Sequence, residues 1–275
     1  MTTKNATVGG SESHPRLALE DLLEVSYEPI IDLSTRRPVA VRALLVDRDA
    51  EAADPTPRAW LHPTSRTRLH GSLDVDMHVL SVACQQLRRW NASGFGVQLC
   101  VPLDAATLEH PDLVAAVEHQ ARTHGVDPGR IELGLTPVTC VADGPMALKN
   151  GQSLLDQLGT TLAVLGFGTG HSSLAYLTTL PVVCAEVDAT LGSPTDAGAG
   201  AGAEAEAGTV PTSVLALFKS LGIRSSVAAV QSGEEARRWQ AFGCEMARGP
   251  NFSLPMSTDE TAHFLERHVR RTTCS

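Results

Sequence analysis

Eight short apolar runs, most of them followed by a longer amphipathic segment, restrict the fold of this chain more than any other sequence feature. The runs predict strands at residues 27–33, 38–45, 96–103, 130–136, 161–167, 182–188, 223–230 and 244–248. The amphipathic segments predict helices at 73–90, 108–123, 147–158, 172–179, 214–221, 234–242 and 258–271. Nearly continuous apolar strands that alternate with helices are typical of a parallel sheet covered on its outside. Eight such units in 275 residues predict a TIM-type (βα)8 barrel.

Three segments depart from this regular alternation. Residues 34–37 read as a turn, so the first two strands are predicted to form a hairpin. Residues 1–16 are polar and are expected to form a disordered tail, which leaves 17–275 as a single barrel domain. Residues 196–209 consist almost entirely of Ala, Gly and Glu, which cannot build a core, and we expect a flexible loop there.

Charge and cysteine content exclude several classes of partner and location. The chain has 31 acidic and 22 basic side chains and a formal net charge of −9, so we expect no nucleic-acid partner. Its six cysteines are scattered and form no CxxC pair, which is typical of buried thiols in a reducing cytosol. There is no apolar run long enough to cross a bilayer and no signal-peptide core, so we expect a cytoplasmic protein without a membrane partner.

Five segments carry a more specific pattern. They are YEPIIDLSTRRPVAVRALL from Tyr27, SLDVDMHVLSVACQQLRRW from Ser72, FGTGHSSLAYLTTLP from Phe167, LGIRSSVAAVQSGEE from Leu221 and FGCEMARGPNFSLP from Phe242. In this order they resemble the EAL domain family of cyclic di-guanylate (cyclic di-GMP) phosphodiesterases, over roughly residues 17–268. The resemblance implies an α/β barrel whose first strand is antiparallel to the others. It also implies an active site at the carboxyl ends of the strands, where carboxylates hold two Mg²⁺ or Mn²⁺ ions.

The positions that the resemblance assigns to this metal site hold other residue types here. Arg42 stands in place of the glutamate of the motif that names the family, and Glu186 in place of the catalytic lysine. The full set of altered positions is Arg42, Val46, Pro102, Gly134, Pro137, Leu165, Gly166, Glu186, Ala228, Gln231 and Arg248. Glu132 lies one layer deeper than Gly134, too low to replace the lost ligand. Because divalent ions need oxygen ligands, we expect no metal, no cofactor and no catalysis.

Three functional hypotheses remain open. The favoured one is a regulatory module that contacts another protein, or a homodimer through the loop made of Phe167, Gly168, Thr169, Gly170, His171 and Ser172 and the helix after it. The same loop is also explained without a partner, because its glycines shape a turn and a serine caps a helix. The second hypothesis is a metal-independent nucleotide or anion sensor that uses Arg42 and Arg248. Residual phosphodiesterase activity is the least favoured.

Arg42 and Glu186 each reverse the charge that the resemblance implies at their position. One interpretation is an ion pair inside the mouth of the barrel. The other, slightly favoured, is that each side chain faces solvent separately, because an exposed pair gains less than about 1 kcal/mol.

Overall fold

Residues 23–47, 73–136, 144–168, 174–192 and 201–270 are described by the computed structural model of the chain. Its strands are β1 Leu23–Asp32, β2 Pro38–Asp47, β3 Gln98–Asp104, β4 Ile131–Thr136, β5 Thr161–Phe167, β6 Val182–Asp188, β7 Arg224–Ala228 and β8 Met246–Ala247. Its α-helices are α1 Leu73–Ala92, α2 Leu113–His124, α3 Pro145–Ser153, α4 Leu174–Thr179, α5 Ala201–Ser220, α6 Gly233–Phe242 and α7 Thr258–Arg270.

The eight strands close into a barrel in the order β1 to β8. β1 pairs antiparallel with both β2 and β8, whereas the pairs from β2–β3 round to β7–β8 are parallel. The predicted hairpin is present, and Glu28 of β1 lies directly opposite Arg42 of β2. This topology confirms the predicted modified (βα)8 barrel with an antiparallel first strand.

Two apolar clusters fill the molecule on either side of the strands. The larger one joins the outer faces of strands to the covering helices and includes Leu80, Leu99, Phe218 and Trp239. The smaller one lies inside the barrel and consists of Ile30, Ala40, Cys100, Ala163, Leu165, Cys184 and Met246. Because successive strand residues point to opposite faces, the residues two positions further along these strands also face the interior. In the part of the chain that the structure describes, the barrel interior is therefore filled by side chains.

The helix before β7 is longer than predicted. α5 spans Ala201–Ser220, so residues 201–209, which we expected to lie in a flexible loop, form its first half. Alanine has the highest helix propensity, and the alanines of this segment offset its two glycines, each of which costs about 1 kcal/mol in a helix interior. The prediction of a loop was therefore wrong for this part. Residues 196–200 and the predicted tail at 1–16 lie outside the described residues.

Within the described residues, none of the helices combines the length and the apolar character that a membrane-spanning helix requires.

Candidate functional site: a buried ionic quartet

Four charged side chains meet inside the barrel. Three of them, Arg42 of β2, Glu186 of β6 and Arg248 after β8, are at positions that the family resemblance assigns to the active site, and the fourth is Glu28 of β1. Their exposed fractions are 1%, 3%, 3% and 2%, so all four are withdrawn from solvent. We call these residues the ionic quartet. Two guanidinium groups and two carboxylates give it zero net charge.

Arg248 is the central member of the ionic quartet. Its Nε and Nη2 atoms donate to Glu186 Oε2 at 2.7 Å and Oε1 at 2.9 Å, which is a bidentate contact. Its Nη1 atom donates to Glu28 Oε2 at 2.7 Å. Arg42 Nη1 donates to Glu186 Oε1 at 2.9 Å. Charge-assisted and bidentate bonds of this kind are the strongest hydrogen bonds in proteins, and they hold the four side chains in one arrangement.

The protonation of Glu186 is fixed by its two arginine partners. Burial raises the pKa of the Glu186 carboxyl, but Arg248 and Arg42 outweigh it and hold the pKa at about 2. Burial likewise lowers the pKa of the Arg248 guanidinium, and Glu186 and Glu28 more than offset this, so the net shift is upward. Glu186 and Arg248 are therefore both charged at neutral pH.

This arrangement decides between the two interpretations of Arg42 and Glu186. The two side chains form a buried ion pair, so the slightly favoured expectation that each faces solvent was wrong. That expectation was based on the small stabilisation, less than about 1 kcal/mol, that an exposed ion pair provides. Inside the barrel an unpaired charge has a desolvation cost of several kcal/mol, and pairing within the quartet is the arrangement that removes it.

Apolar atoms occupy the neighbouring part of the predicted site. Pro102 of β3 lies opposite Gly134 of β4 in the strand register. A Cβ atom on Gly134 would lie 2.5 Å from Leu165 Cδ1, so the leucine side chain fills the space above the glycine. Three positions that the resemblance assigns to oxygen ligands therefore form a close-packed, non-coordinating wall.

Substitution of Gly134 by alanine tests this packing. We expect Gly134→Ala to lower the free energy of unfolding by about 1–3 kcal/mol, because the added methyl group overlaps Leu165. A second substitution, Leu165→Ala, should then cost less than it does alone. Urea denaturation measures both effects. The matched control is Gly96→Ala, whose Cβ meets nothing within 4 Å. Equal effects at positions 96 and 134 would contradict the overlap.

The remaining predicted site positions are spread over different environments. Ala228 is buried at the end of β7, whereas Gln231 is exposed and its backbone N–H donates to Glu235 of α6. Gly166 and Gly168 both adopt positive φ, at 66° and 93°. Phe167 contacts the ring of Phe218 edge-on, with 5.2 Å between centroids. Five of the predicted positions lie outside the described residues, namely Pro137, Thr169, Gly170, His171 and Ser172. Val46 lies in β2, but its side chain is not described.

Other carboxylates at the carboxyl ends of the strands stabilise turns by accepting hydrogen bonds from the backbone. Asp104 Oδ1 accepts a hydrogen bond from Ala106 N at 2.8 Å, and Asp188 Oδ1 accepts one from Thr190 N at 2.8 Å. Among the described residues, no group of three His, Cys, Asp or Glu side chains could hold a metal ion. The donor set of this part of the chain therefore does not fit the pair of divalent cations that the fold family implies.

Sequence reasoning missed Glu28. Its signal was present, because the segment YEPI has a glutamate where the family pattern YQPI has a glutamine. The added negative charge accompanies the added positive charge of Arg248, which also stands in place of a family glutamine. Two changes far apart in sequence thus form one contact in the barrel.

The low pKa of Glu186 predicts a pH dependence of stability. The folded protein holds this carboxyl ionised down to a pKa of about 2, below the ordinary value of 4.5. Its contribution, roughly 3 kcal/mol, is fully present above pH 4.5 and is lost as the pH falls towards 2. The difference in unfolding free energy between the wild type and Glu186→Gln should therefore shrink across this window. A difference that stays constant from pH 6 to pH 2.5 would contradict it.

Comparison with known proteins identifies the family. Residues 14–255 match the EAL domain family. The chain belongs to this family. A curated relative of this EAL domain is the cyclic di-GMP phosphodiesterase PA2567 of Pseudomonas aeruginosa, 28% identical over 91% of this chain and 41% of the relative. Another is the uncharacterized protein Rv1357c of Mycobacterium tuberculosis, 28% identical over 85% of this chain and 75% of its own length. The EAL domain thus spans about two fifths of the length of the Pseudomonas relative.

Solved structures show the same fold. The PaMucR phosphodiesterase in complex with c-di-GMP superimposes with a TM-score of 0.72 at 24% identity, covering 90% of this EAL domain and 97% of that chain. The EAL domain of Mycobacterium smegmatis DcpA gives a TM-score of 0.71 at 24% identity over the same shares. At these identities the likeness establishes the barrel, and the activity must be argued from the residues inside it.

Proposed function

We propose that this chain is a non-hydrolytic EAL domain that acts as a regulatory protein-interaction module in, or derived from, cyclic di-GMP signalling. The observation that supports the proposal is the bond network of Arg248, which engages both Glu28 and Glu186 inside the barrel, where the resemblance places the family's active site. A charge-balanced, buried quartet offers no ionised carboxylate to a cation, because both carboxylates already serve guanidinium groups.

A metal-independent nucleotide sensor is a second hypothesis for the same site, and the observed contacts support it less. It requires Arg42 and Arg248 to present free donors to a phosphate. Arg248 already directs three donors to carboxylates, and Arg42 Nη1 is bound to Glu186. A phosphate would have to displace two negative groups from a buried site, and the lost contacts would offset most of the new ones.

Calorimetric titration of the purified chain separates these readings. We expect no heat of binding for Mg²⁺ or Mn²⁺ and none for cyclic di-GMP, with or without the metals. The PaMucR phosphodiesterase domain, solved in complex with c-di-GMP, is the matched positive control. Stoichiometric binding of the dinucleotide alone would favour the sensor. Binding of two metal ions per chain would overturn the non-hydrolytic proposal.

The partner surface that we propose is the loop after β5 together with α4, used in a homodimer. In its support, Leu174, the first residue of α4, is 53% exposed and offers an apolar contact on this surface. Light scattering after gel filtration should give a dimer mass for the wild type and a monomer mass for Leu174→Glu. The matched control is Leu221→Glu, a residue 40% exposed after α5. A monomeric wild type at high micromolar concentration would contradict the homodimer.

A further inference from the structure

A small pocket opens into the barrel at the end opposite the carboxyl ends of the strands. Its lining residues are Ile30, Val39, Ala40, Gln98, Cys100, Glu132, Leu165, Cys184, Glu186, Arg224, Ser226 and Met246. Gln98 and Arg224 are the first residues of β3 and β7, and Glu132 is the second residue of β4. The pocket therefore faces the amino-terminal end of the parallel strands. We call it the floor pocket.

One ion pair lies between the floor pocket and solvent. Arg224 Nη2 donates to Glu132 Oε2 at 3.2 Å. The Arg224 side chain is 43% exposed and that of Glu132 is 11% exposed, so the guanidinium group covers the carboxylate from outside. Half-exposed arginine side chains rearrange easily, since their solvation in water replaces the lost contact. Arg224 is therefore placed as a movable cover over the pocket.

Among the charged groups near Glu132, Arg224 is its main partner. The other titratable groups that act on it are the Cys100 thiol of β3, Glu186 of β6 and Arg42 of β2. The last two are engaged with each other in the ionic quartet. Burial raises the pKa of the Glu132 carboxyl, and Arg224 offsets only part of the increase. Glu132 consequently takes up a proton at a higher pH than an ordinary glutamate.

One polar atom that lines the pocket lacks a hydrogen-bond partner while the pocket is closed. Ser226 is 3% exposed and its Oγ atom has no hydrogen-bond partner. Cys100 and Cys184 are buried in the interior apolar cluster, where burial raises the pKa of each thiol. A water molecule that entered the pocket would give Ser226 its missing partner, which lowers the cost of opening.

We propose that the Arg224–Glu132 contact is a proton-operated latch, and that protonation of Glu132 releases Arg224 and opens the floor pocket to water and small uncharged molecules. A neutral carboxyl group loses the charge that attracts the guanidinium group, whereas the guanidinium regains full hydration outside. The proposal goes beyond the proposed function, because it concerns the amino-terminal end of the barrel, where Glu186 is the one residue that the floor pocket lining shares with the ionic quartet.

Labelling of individual cysteines by 4,4′-dithiodipyridine tests the latch. A thiol sulfur attacks the disulfide of the reagent, that S–S bond breaks, a mixed disulfide forms, and a thiopyridone leaves with the thiol proton. Peptide mapping gives one rate for each cysteine, normalised to glutathione at the same pH. Cys84 and Cys244 are buried in the outer apolar cluster and act as internal references for unfolding.

In the wild type, the labelling of Cys100 and Cys184 relative to Cys84 should rise about tenfold for each unit of pH decrease until Glu132 is protonated. The Glu132→Gln variant should show a high ratio that does not change with pH. Arg224→Gln should also give a high ratio. Because it changes a half-exposed side chain, it serves as the test variant if Glu132→Gln does not fold. Arg238→Gln, which removes an exposed arginine of α6, is the control and should behave as the wild type.

Two results overturn the latch. In the first, all described cysteines gain reactivity together as the pH falls, which indicates global unfolding. In the second, the ratio is independent of pH in the wild type, or stays low in both latch variants. Neither result affects the metal and nucleotide titrations of the ionic quartet, so the two proposals fail separately.

Discussion

The free energy of unfolding of the Glu186→Gln variant is expected to be about 3–5 kcal/mol lower than that of the wild type. Glutamine keeps the size of the side chain but removes the charge that Arg42 and Arg248 share. Arginine does not lose its proton in proteins, so two buried cations would remain with Glu28 as their single carboxylate. Equilibrium unfolding in urea at pH 7, followed by circular dichroism, measures the loss.

The matched control for this variant is Glu235→Gln. Glu235 contacts Arg238 of α6 at 4.0 Å, with side chains 14% and 41% exposed, and ion pairs open to solvent in this way contribute less than about 1 kcal/mol. Its carboxylate also accepts a hydrogen bond from Gln231 N, so a loss of about 1 kcal/mol remains compatible with the account. A loss at Glu186 no larger than that at Glu235 would show that the quartet is not the buried, mutually dependent unit described.

Removing a matched pair of charges should cost less than removing one of them. Arg248→Gln leaves Glu28 and Glu186 buried with Arg42 alone, and we expect a loss of about 3–5 kcal/mol. Adding Glu28→Gln to this variant restores charge balance, since Arg42 and Glu186 then remain as one pair. The double variant should therefore be more stable than Arg248→Gln by at least about 1 kcal/mol.

A double-mutant cycle over positions 28 and 248 gives this coupling directly. Unfolding free energies of the wild type, both single variants and the double variant close the cycle. We expect strong non-additivity, because each single change leaves the partner charge unpaired in the barrel. Losses that simply add would mean that Glu28 and Arg248 are solvated independently, which contradicts their 2.7 Å contact.

The sequence predicted the architecture well because the chain is locally consistent. β5 and β6 begin and end at the predicted residues, since each is an apolar run bounded by turn residues. The start of α5 was missed because its glycines were taken as typical of a flexible loop, whereas the high helix propensity of its alanines outweighs them.

The site was predicted in part for a different physical reason. Aligning the chain with the family pattern placed Arg42, Glu186 and Arg248 at one site, and the structure brings these three together. Their burial could not be read from the sequence, because it depends on the closure of the eight strands into a barrel around them. The partner of Arg248 was hidden for a similar reason, since Glu28 lies 220 residues away in the chain.

The measurement that tests the proposed absence of catalysis most directly is hydrolysis of cyclic di-GMP by the purified chain in the presence of Mn²⁺ or Mg²⁺. Chromatography of the nucleotides after a long incubation separates the cyclic substrate from its linear product. With the ionic quartet in the place of metal ligands, we expect no linear product above that of a protein-free control. Linear dinucleotide formed in proportion to protein concentration, and abolished by chelation of the metal, would contradict the account.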